Sequence, residues 1–297
     1  MSATEFTQQF INALGLGSIY ALVAIGLAMI FSILRLINFA HGEILMLGAF
    51  AAYYFDRAGL PFVFTAVLAI VATVAAGLVM EMFAYRPLRG APDVSLLLTS
   101  LAVSILLQTS GTMIFGAQPK RFPTPSAIQH QIVIGSIRIS VVNLVTVGVA
   151  ITLMAVLTWV VTRTTIGSSM RAAAENPDAA RLMGINPTTV VLAAFIIGSA
   201  LAGVAGILWG SRVGRIDPLM GFIPVLKAFV ATVIGGFGSI PGAVIGAYIL
   251  GFGEIYLSSL LPDSLTGYRD AFVFGSLILI LFFRPQGILG STEPEKI

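Results

Sequence analysis

The chain has 297 residues, of which 57% are hydrophobic and only 10% are charged, and its formal net charge is +3. A soluble globular domain is about a quarter charged, so this composition excludes an ordinary soluble protein. The charge is too small and too dispersed for nucleic-acid binding. The sequence has no cysteine, which excludes disulfides, thiolate catalysis and cysteine metal sites.

Long apolar segments follow one another along the whole chain, and most can cross a hydrocarbon core about 30 Å thick. The second and the seventh are short, so either could be re-entrant or broken, and the count is eight or nine. The sequence therefore predicts an all-α, polytopic membrane protein in which residues 1–297 form one transmembrane domain. The segments are predicted at 9–34, 40–56, 61–85, 93–116, 139–162, 189–210, 222–237, 240–261 and 269–284.

Polar residues mark the start of the second segment, where Asn38, His41 and Glu43 follow Arg35. A carboxylate and an imidazole near lipid are costly, so such groups face protein or water. They either satisfy hydrogen bonds at a helix start or line and gate a path for a substrate. Because the spacing does not suit metal ligands on one helix face, no metal site is predicted.

A polar stretch at 163–187 separates two apolar segments and has the composition of two short helices outside the lipid. Ser168 or Ser169 is expected to cap the first helix, which runs to Glu175. Asn176 is expected to cap the second, with Pro177 at its first position. The stretch is either an amphipathic loop resting on lipid head groups or a docking element for a cytosolic partner.

The same stretch carries signals for how its second helix begins and ends. Asp178 complements the positive helix end, and Arg181 lies one turn later within its reach. Gly184 suits the left-handed residue that ends a helix, and Leu182 with Met183 supplies an apolar tip. Asn186 and Pro187 repeat the cap-and-proline pattern for the next membrane helix.

Small residues recur on two later segments. Gly198, Ala202, Gly206 and Gly210 are four apart, as are Gly242 and Gly246, so each set lies on one helix face. Such faces let helix backbones approach closely in a membrane. They serve either packing within the chain or an interface with a second membrane subunit.

A lysine lies inside the seventh apolar segment. Lys227 must snorkel, pair with an acid or face water, and Glu43 and Glu254 are the candidate partners. The following glycine- and proline-rich run at 235–242 either breaks a helix and exposes backbone groups or forms a tight turn.

The sequence lacks the signals of an enzyme. A phosphate-binding loop ends in Gly-Lys-Ser/Thr, whereas none of Lys120, Lys227 and Lys296 follows a glycine. No Ser-His-Asp set or carboxylate pair stands out either. We expect a transport subunit without its own nucleotide site and without a bound cofactor.

Several blocks in a fixed order resemble the permease subunit of bacterial branched-chain amino acid ABC importers of the Liv type. The resemblance covers nearly the full length. It rests on GSIYALVAIGL at 17–27, INFAHGE at 37–43, RAAAENPDAARLMG at 171–184, PLMGF at 218–222, KAFV at 227–230, GGFGSIPG at 235–242, YRDA at 268–271 and FRPQG at 283–287.

The resemblance implies a multi-pass permease of the bacterial inner membrane that moves branched-chain amino acids inward. A second homologous permease, two cytosolic ATPase subunits that bind ATP and Mg, and a periplasmic binding protein are the implied partners. Lys and Arg divide too evenly to orient the chain, so the resemblance alone places the N-terminus outside and the 163–187 loop in the cytoplasm.

The same resemblance assigns roles to particular residues. The ATPase-coupling residues are expected to be Arg171, Glu175, Asn176, Pro177, Asp178, Arg181, Leu182 and Gly184, and the path or gate residues Asn38, His41, Glu43 and Lys227.

Two other functions are compatible with the pattern. Urea-type permeases share much of it, so urea or a short amide is an alternative substrate. A secondary carrier driven by an ion gradient could recruit Glu43, Glu81 and Glu254, but it leaves the 163–187 loop without a role.

Overall fold

The computed structural model describes residues 3–284 and 286–289, and all nine predicted apolar segments are helical in it. The all-α polytopic prediction is therefore confirmed. The helices are α1 (Ala3–Leu34), α2 (His41–Arg57), α3 (Phe62–Met80), α4 (Asp93–Phe115), α5 (Val141–Arg163), α6 (Thr165–Glu175), α7 (Pro177–Leu182), α8 (Pro187–Val213), α9 (Phe222–Gly235), α10 (Ile240–Leu260) and α11 (Arg269–Phe283).

The helices fall into two length classes. Within the described ranges, six are long and apolar enough to span a membrane, namely α1, α3 with its extension to Leu88, α4, α5, α8 and α10. By contrast, α2, α9 and α11 have 17, 14 and 15 residues. At 1.5 Å per residue they reach only about 21–26 Å, less than a core of about 30 Å. The prediction that the second and seventh segments are short is confirmed, and the last is short as well.

Short π-helical and 3-10 turns and short β-strands lie at the ends of the α-helices. A π-helical turn (Glu81–Tyr85) and a 3-10 turn (Arg86–Leu88) extend α3, and further 3-10 turns lie at Ser126–Ile128 and Asp263–Tyr268. Strand β1 (Lys120–Arg121) pairs antiparallel with β4 (Arg215–Ile216), with Lys120 opposite Ile216.

A β-hairpin that the sequence analysis did not predict precedes α5. Strands β2 (Gln131–Ile134) and β3 (Ile137–Ser140) pair antiparallel with Gln131 opposite Ser140, and Gly135 turns between them with φ 62°. Because α5 separates this hairpin from α6 and α7, we call the two faces of the protein the hairpin side and the loop side. The N-terminal end of α1 is on the hairpin side, where Gln8 donates to the Arg138 carbonyl over 2.9 Å.

Helix α1 forms the centre of the helical bundle. In the most apolar 18-residue stretch of α1, 83% of the stretch is buried, whereas only 17–22% of the corresponding stretch is buried in α3, α4 and α5. It packs against α8, α9 and α10, while α3, α4 and α5 present most of their apolar side chains outward. In a bilayer that outward surface contacts lipid.

The two small-residue faces lie inside the chain. A side chain at Gly206 would meet the Leu45 carbonyl, and one at Gly246 would meet the Ala231 carbonyl. Gly198 lies against Gly26 of α1, where an added Cβ would be 3.5 Å from the Gly26 carbonyl oxygen. These contacts support the interpretation of the small residues as internal helix packing.

Helices α2 and α9 both begin deep inside the protein. His41, the first residue of α2, lies beside Gly198, which is about midway along the spanning helix α8. The backbone of Gly42 meets that of Gly221, immediately before α9. We call this meeting point the junction. From it α2 runs to the hairpin side, where Tyr54 accepts a hydrogen bond from Lys120, and α9 runs to the loop side.

Candidate functional site

The loop at 163–187 folds as two helices, as predicted, but the first begins earlier than predicted. The hydroxyl of Thr164 accepts the Gly167 amide over 3.1 Å and caps α6, so the expectation of a Ser168 or Ser169 cap is wrong. Ser169 lies within α6 and donates to the Thr165 carbonyl. The early start follows from packing, because Gly167 presses against the backbone of α5 at Val160 and Val161.

The second helix of the loop has the predicted caps. The side-chain oxygen of Asn176 accepts the amides of Asp178 and Ala179 over 3.1 and 3.0 Å, with Pro177 at the first position. Asp178 and Arg181 are 3.4 Å apart and exposed, so this pair contributes little to stability. Gly184 has φ +82° and ends the helix in the left-handed conformation.

The loop turns one face inward and the other outward. Met170, Ala173 and Ala180 are buried against the bundle, whereas Leu182 and Met183 are 90% and 83% exposed. The two helices therefore form a fixed projection with an apolar tip. Its exposed residues include all those assigned to coupling, Arg171, Glu175, Asn176, Pro177, Asp178, Arg181, Leu182 and Gly184.

The predicted polar cluster of Asn38, His41 and Glu43 lies at the junction and is fully buried. Glu43 Oε1 accepts hydrogen bonds from Gln108 Nε2 over 2.8 Å and from Ser104 Oγ over 3.1 Å, both on α4. These two α4 residues were missed by the sequence analysis, because they lie one turn apart in a helix that carries several other serines and threonines.

Several polar atoms of this cluster find no partner in the described part of the chain. They are Nδ2 of Asn38, both ring nitrogens of His41, Oε2 of Glu43 and the nearby Ser199 hydroxyl. Buried polar groups are nearly always hydrogen-bonded, so this concentration marks a place where a ligand or water supplies the missing partners. The cluster offers a carboxylate oxygen together with amide and imidazole nitrogens.

Lys227 is not part of the junction cluster. Its Nζ lies 2.7 Å from Glu254 Oε1 and 2.9 Å from Asp270 Oδ1. Of the two candidate partners, Glu254 is therefore confirmed and Glu43 is wrong, because Glu43 is hydrogen-bonded to α4 instead. Tyr20 donates to the second oxygen of Glu254 over 2.8 Å.

The glycine- and proline-rich run at 235–242 forms a tight turn between α9 and α10. Ser239 caps α10 by accepting the Gly242 amide over 3.1 Å. Gly235 and Gly242 pack backbone against backbone, which fixes the two helices close together. Among the described residues there is no group of three or more His, Asp or Glu residues that could hold a metal.

Two half-helices that meet at buried, unpartnered polar groups, inside a bundle of spanning helices, define a polytopic membrane transport protein. Comparison with known proteins gives its family. Residues 9–281 match the family described as the permease component of branched-chain amino acid transport systems.

Two individual relatives match the chain over nearly its full length, and a third matches part of it. The chain is 37% identical to the permease protein BraD of the high-affinity branched-chain amino acid transport system of Pseudomonas aeruginosa, over 99% of this chain and 98% of BraD. It is 39% identical to the corresponding LivH of Escherichia coli K12, over 98% of each chain. It is also 33% identical to LivM of Salmonella typhimurium over 45% of this chain and 30% of LivM.

The chain therefore belongs to the family of branched-chain amino acid transport system permease components. It is a multi-span permease of a branched-chain amino acid ABC transport system, and the family has no ATPase domain. The prediction of a transport subunit, not an enzyme, is confirmed. The match to both LivH and LivM implies a partnering permease within such a system.

Proposed function

We propose that this chain and a second homologous permease form the path by which branched-chain amino acids cross the bacterial inner membrane. A periplasmic binding protein delivers the amino acid on the hairpin side. Two ATPase subunits, which hold the ATP and Mg, grip the loop at 163–187 on the cytoplasmic side. The observation that carries the path is the set of unpartnered polar atoms at the junction.

The shape and chemistry of the loop support the docking of an ATPase there. Its inner face is fixed to the bundle by Met170, Ala173 and Ala180, while its tip presents Leu182 and Met183 with most of their surface uncovered. Neither tip side chain contributes to the core of this chain. Apolar groups on a rigid support make good anchors for a partner's pocket, because little conformational entropy is lost on binding.

A Leu182→Asp variant is expected to lose its ATPase subunits while the permease itself still folds. A charge placed in an apolar contact should weaken the complex roughly tenfold or more, as for other interface anchors. The measurement is the amount of ATPase recovered with the tagged permease in mild detergent. Ile134→Asp is the matched control, since Ile134 is 61% exposed on the hairpin side. If Leu182→Asp recovered as much ATPase as Ile134→Asp and the wild type, the loop would not be the docking element.

The junction suits a zwitterionic amino acid. Glu43 Oε2 can accept a hydrogen bond from an ammonium group, and the amide nitrogen of Asn38 can donate to a carboxylate. The N-terminal ends of α2 and α9 add positive dipole ends at the same place. Urea carries no charge to match the Glu43 carboxylate, so the cluster favours an amino acid.

A Glu43→Gln variant is expected to transport roughly 10 to 100 times more slowly at low substrate concentration, the loss typical of a hydrogen bond to a charged group. Glutamine keeps an oxygen that accepts from Ser104 and Gln108, so assembly and thermal stability should not change. Uptake of labelled leucine by the reconstituted complex measures the effect. Asp93→Asn, which removes an exposed carboxylate at the start of α4, is the control. Unimpaired uptake, or loss of the assembled complex, would contradict a role for Glu43 in the path.

Lys227 contributes to this function through its ion pairs. It holds the half-helix α9 to α10 through Glu254 and to α11 through Asp270. We therefore propose that Lys227 fixes the position of α9, and thereby one half of the path, without contacting the amino acid.

A further inference from the structure

We propose that a chain of hydrogen bonds, continued between Glu81 and Tyr85 by the backbone of the π-helical turn, carries the movement of the 163–187 loop to the junction. It passes from Thr188 through Arg89, Glu81 and Tyr85 to Asn38, and we call these five residues the relay. The inference rests on the proposed docking of the ATPase subunits at that loop. It assigns positioning roles to four residues outside the loop and the path.

The relay begins where the loop ends. Asn186 and Pro187 start α8, and Thr188 lies in its first turn. Arg89, which follows α3 and its extension, donates from Nη1 to the Thr188 hydroxyl over 2.8 Å and from Nη2 to Glu81. A shift of the first turn of α8 therefore pulls directly on the end of the α3 extension.

The centre of the relay is a buried ion cluster. Glu81 is completely buried, and its two carboxylate oxygens are held by Arg86, over 2.9 Å, and by Arg89. Separating a buried carboxylate from its guanidinium partner is costly. Glu81 and Arg89 are therefore expected to move together when the loop moves.

The segment between Glu81 and Tyr85 is a π-helical turn, closed by the Arg86 amide bonded to the Glu81 carbonyl. A π-helical turn inserts one extra residue into a helix and is often found at functional sites. Conversion of this turn to the α-helical register would rotate the residues that follow it by about 100°, which is the rotation about the helix axis from one residue to the next. The π-helical and the α-helical register would be the two discrete arrangements that a transmitting element requires.

The relay ends at the junction. The Tyr85 ring is buried, and its hydroxyl donates to Asn38 Oδ1 over 2.7 Å. Asn38 lies just before α2 and carries one of the unpartnered polar atoms of the path. Rotation of Tyr85 would break this bond and release the start of α2.

Space for such a movement exists beside the relay. A cavity of about 420 Å³ separates the α3 extension from the loop, with Glu81, Tyr85 and Arg89 on one wall and Ala173 and Ala180 on the other. This cavity leaves room for the loop and the α3 extension to approach each other.

The test is the number of leucine molecules transported per ATP hydrolysed by the complete complex in proteoliposomes. Thr188→Val removes the Arg89 acceptor, and Tyr85→Phe removes the donor to Asn38. Each variant is expected to lower the ratio about 2- to 10-fold, as for one lost hydrogen bond. The double variant should be no worse than either single variant, because one break already interrupts the relay.

Matched controls separate the relay from general structural damage. Thr189→Val changes the neighbouring, exposed threonine, and Tyr248→Phe removes a hydroxyl that bonds Ser18 over 3.0 Å outside the relay. Both controls should keep the wild-type ratio. The proposal is overturned if Thr188→Val has the same transport ratio as Thr189→Val. It is also overturned if the fold-loss of the ratio in the double variant equals the product of the fold-losses in the two single variants.

Failure of the relay is distinguishable from failure of ATPase docking. The ratio is measured only in complexes with the full complement of ATPase subunits and wild-type melting temperature. Retention of the ATPase by Leu182→Asp would overturn docking whatever the relay variants do. Loss of the ATPase from Thr188→Val itself would overturn the relay, since Thr188 would then act in binding.

Discussion

A Glu254→Ala variant is expected to lose about 3–5 kcal/mol of its free energy of unfolding, the usual cost of removing one partner from a buried ion pair. Glu254 is 3% exposed and holds Lys227 at 2.7 Å, Tyr20 at 2.8 Å and Arg269 at 3.3 Å. Without it, these three polar groups lose their shared acceptor between α1, α9, α10 and α11. Thermal unfolding in detergent, followed by the loss of monodisperse protein, measures the effect.

The double variant Lys227→Met, Glu254→Gln should recover most of this loss. It removes the buried cation together with the buried anion, and Arg269 and Asp270 remain 3.6 Å apart as a balanced pair. Glu175→Ala, which removes an exposed carboxylate of the loop, should leave the melting temperature unchanged. A Glu254→Ala variant that is fully stable but inactive would contradict the anchoring role of Lys227 and point to direct contact with the amino acid.

Placing a β-branched side chain at Gly221 is expected to separate the two half-helices. The Cβ of Gly221→Val would meet the Gly42 carbonyl, and backbone atoms cannot move aside as a side-chain end can. We expect a cost of about 3 kcal/mol or more, at the upper end of overpacking effects. The variant should yield little folded protein, and any that folds should not transport leucine.

Gly148→Val is the matched control for this clash. Gly148 lies within α5, where an added Cβ meets no atom within 4 Å. Valine has a higher helix propensity than glycine, so this substitution should not destabilise α5. If Gly221→Val and Gly148→Val gave equal yields and equal transport, close contact of α2 and α9 would not be needed for function.

The features that could be predicted from the sequence are those fixed by neighbours along the chain. Asn176 and Asn186 cap the helices that follow them because each side chain needs only an amide two or three residues away. Gly184 ends α7 by its own backbone conformation.

The Thr164 cap was missed since the start of α6 depends on packing against α5. The β2–β3 hairpin was missed although its signal is local, apolar strands on either side of Gly135 and Ser136.

The features that could not be predicted join distant parts of the chain. Glu43 meets Ser104 and Gln108 across 61 and 65 residues, and neither partner has a distinctive sequence context. Asp270 was not considered as a partner of Lys227, because polar residues at a helix end are ordinarily explained by solvent. The depth at which α2 and α9 begin is also invisible to hydropathy, which gives the length of a segment but not its position.

The central position of α1 has a consequence for how the protein is made. Helix α1 leaves the ribosome before the helices that enclose it, because α8, α9 and α10 are synthesised only after residue 186. During translation its small-residue positions Gly15, Gly17 and Gly26 must therefore face lipid or the insertion machinery. A chain that stops before α10 leaves one side of this helix uncovered. Helix α1 is thus inserted before the helices that form its final surroundings exist.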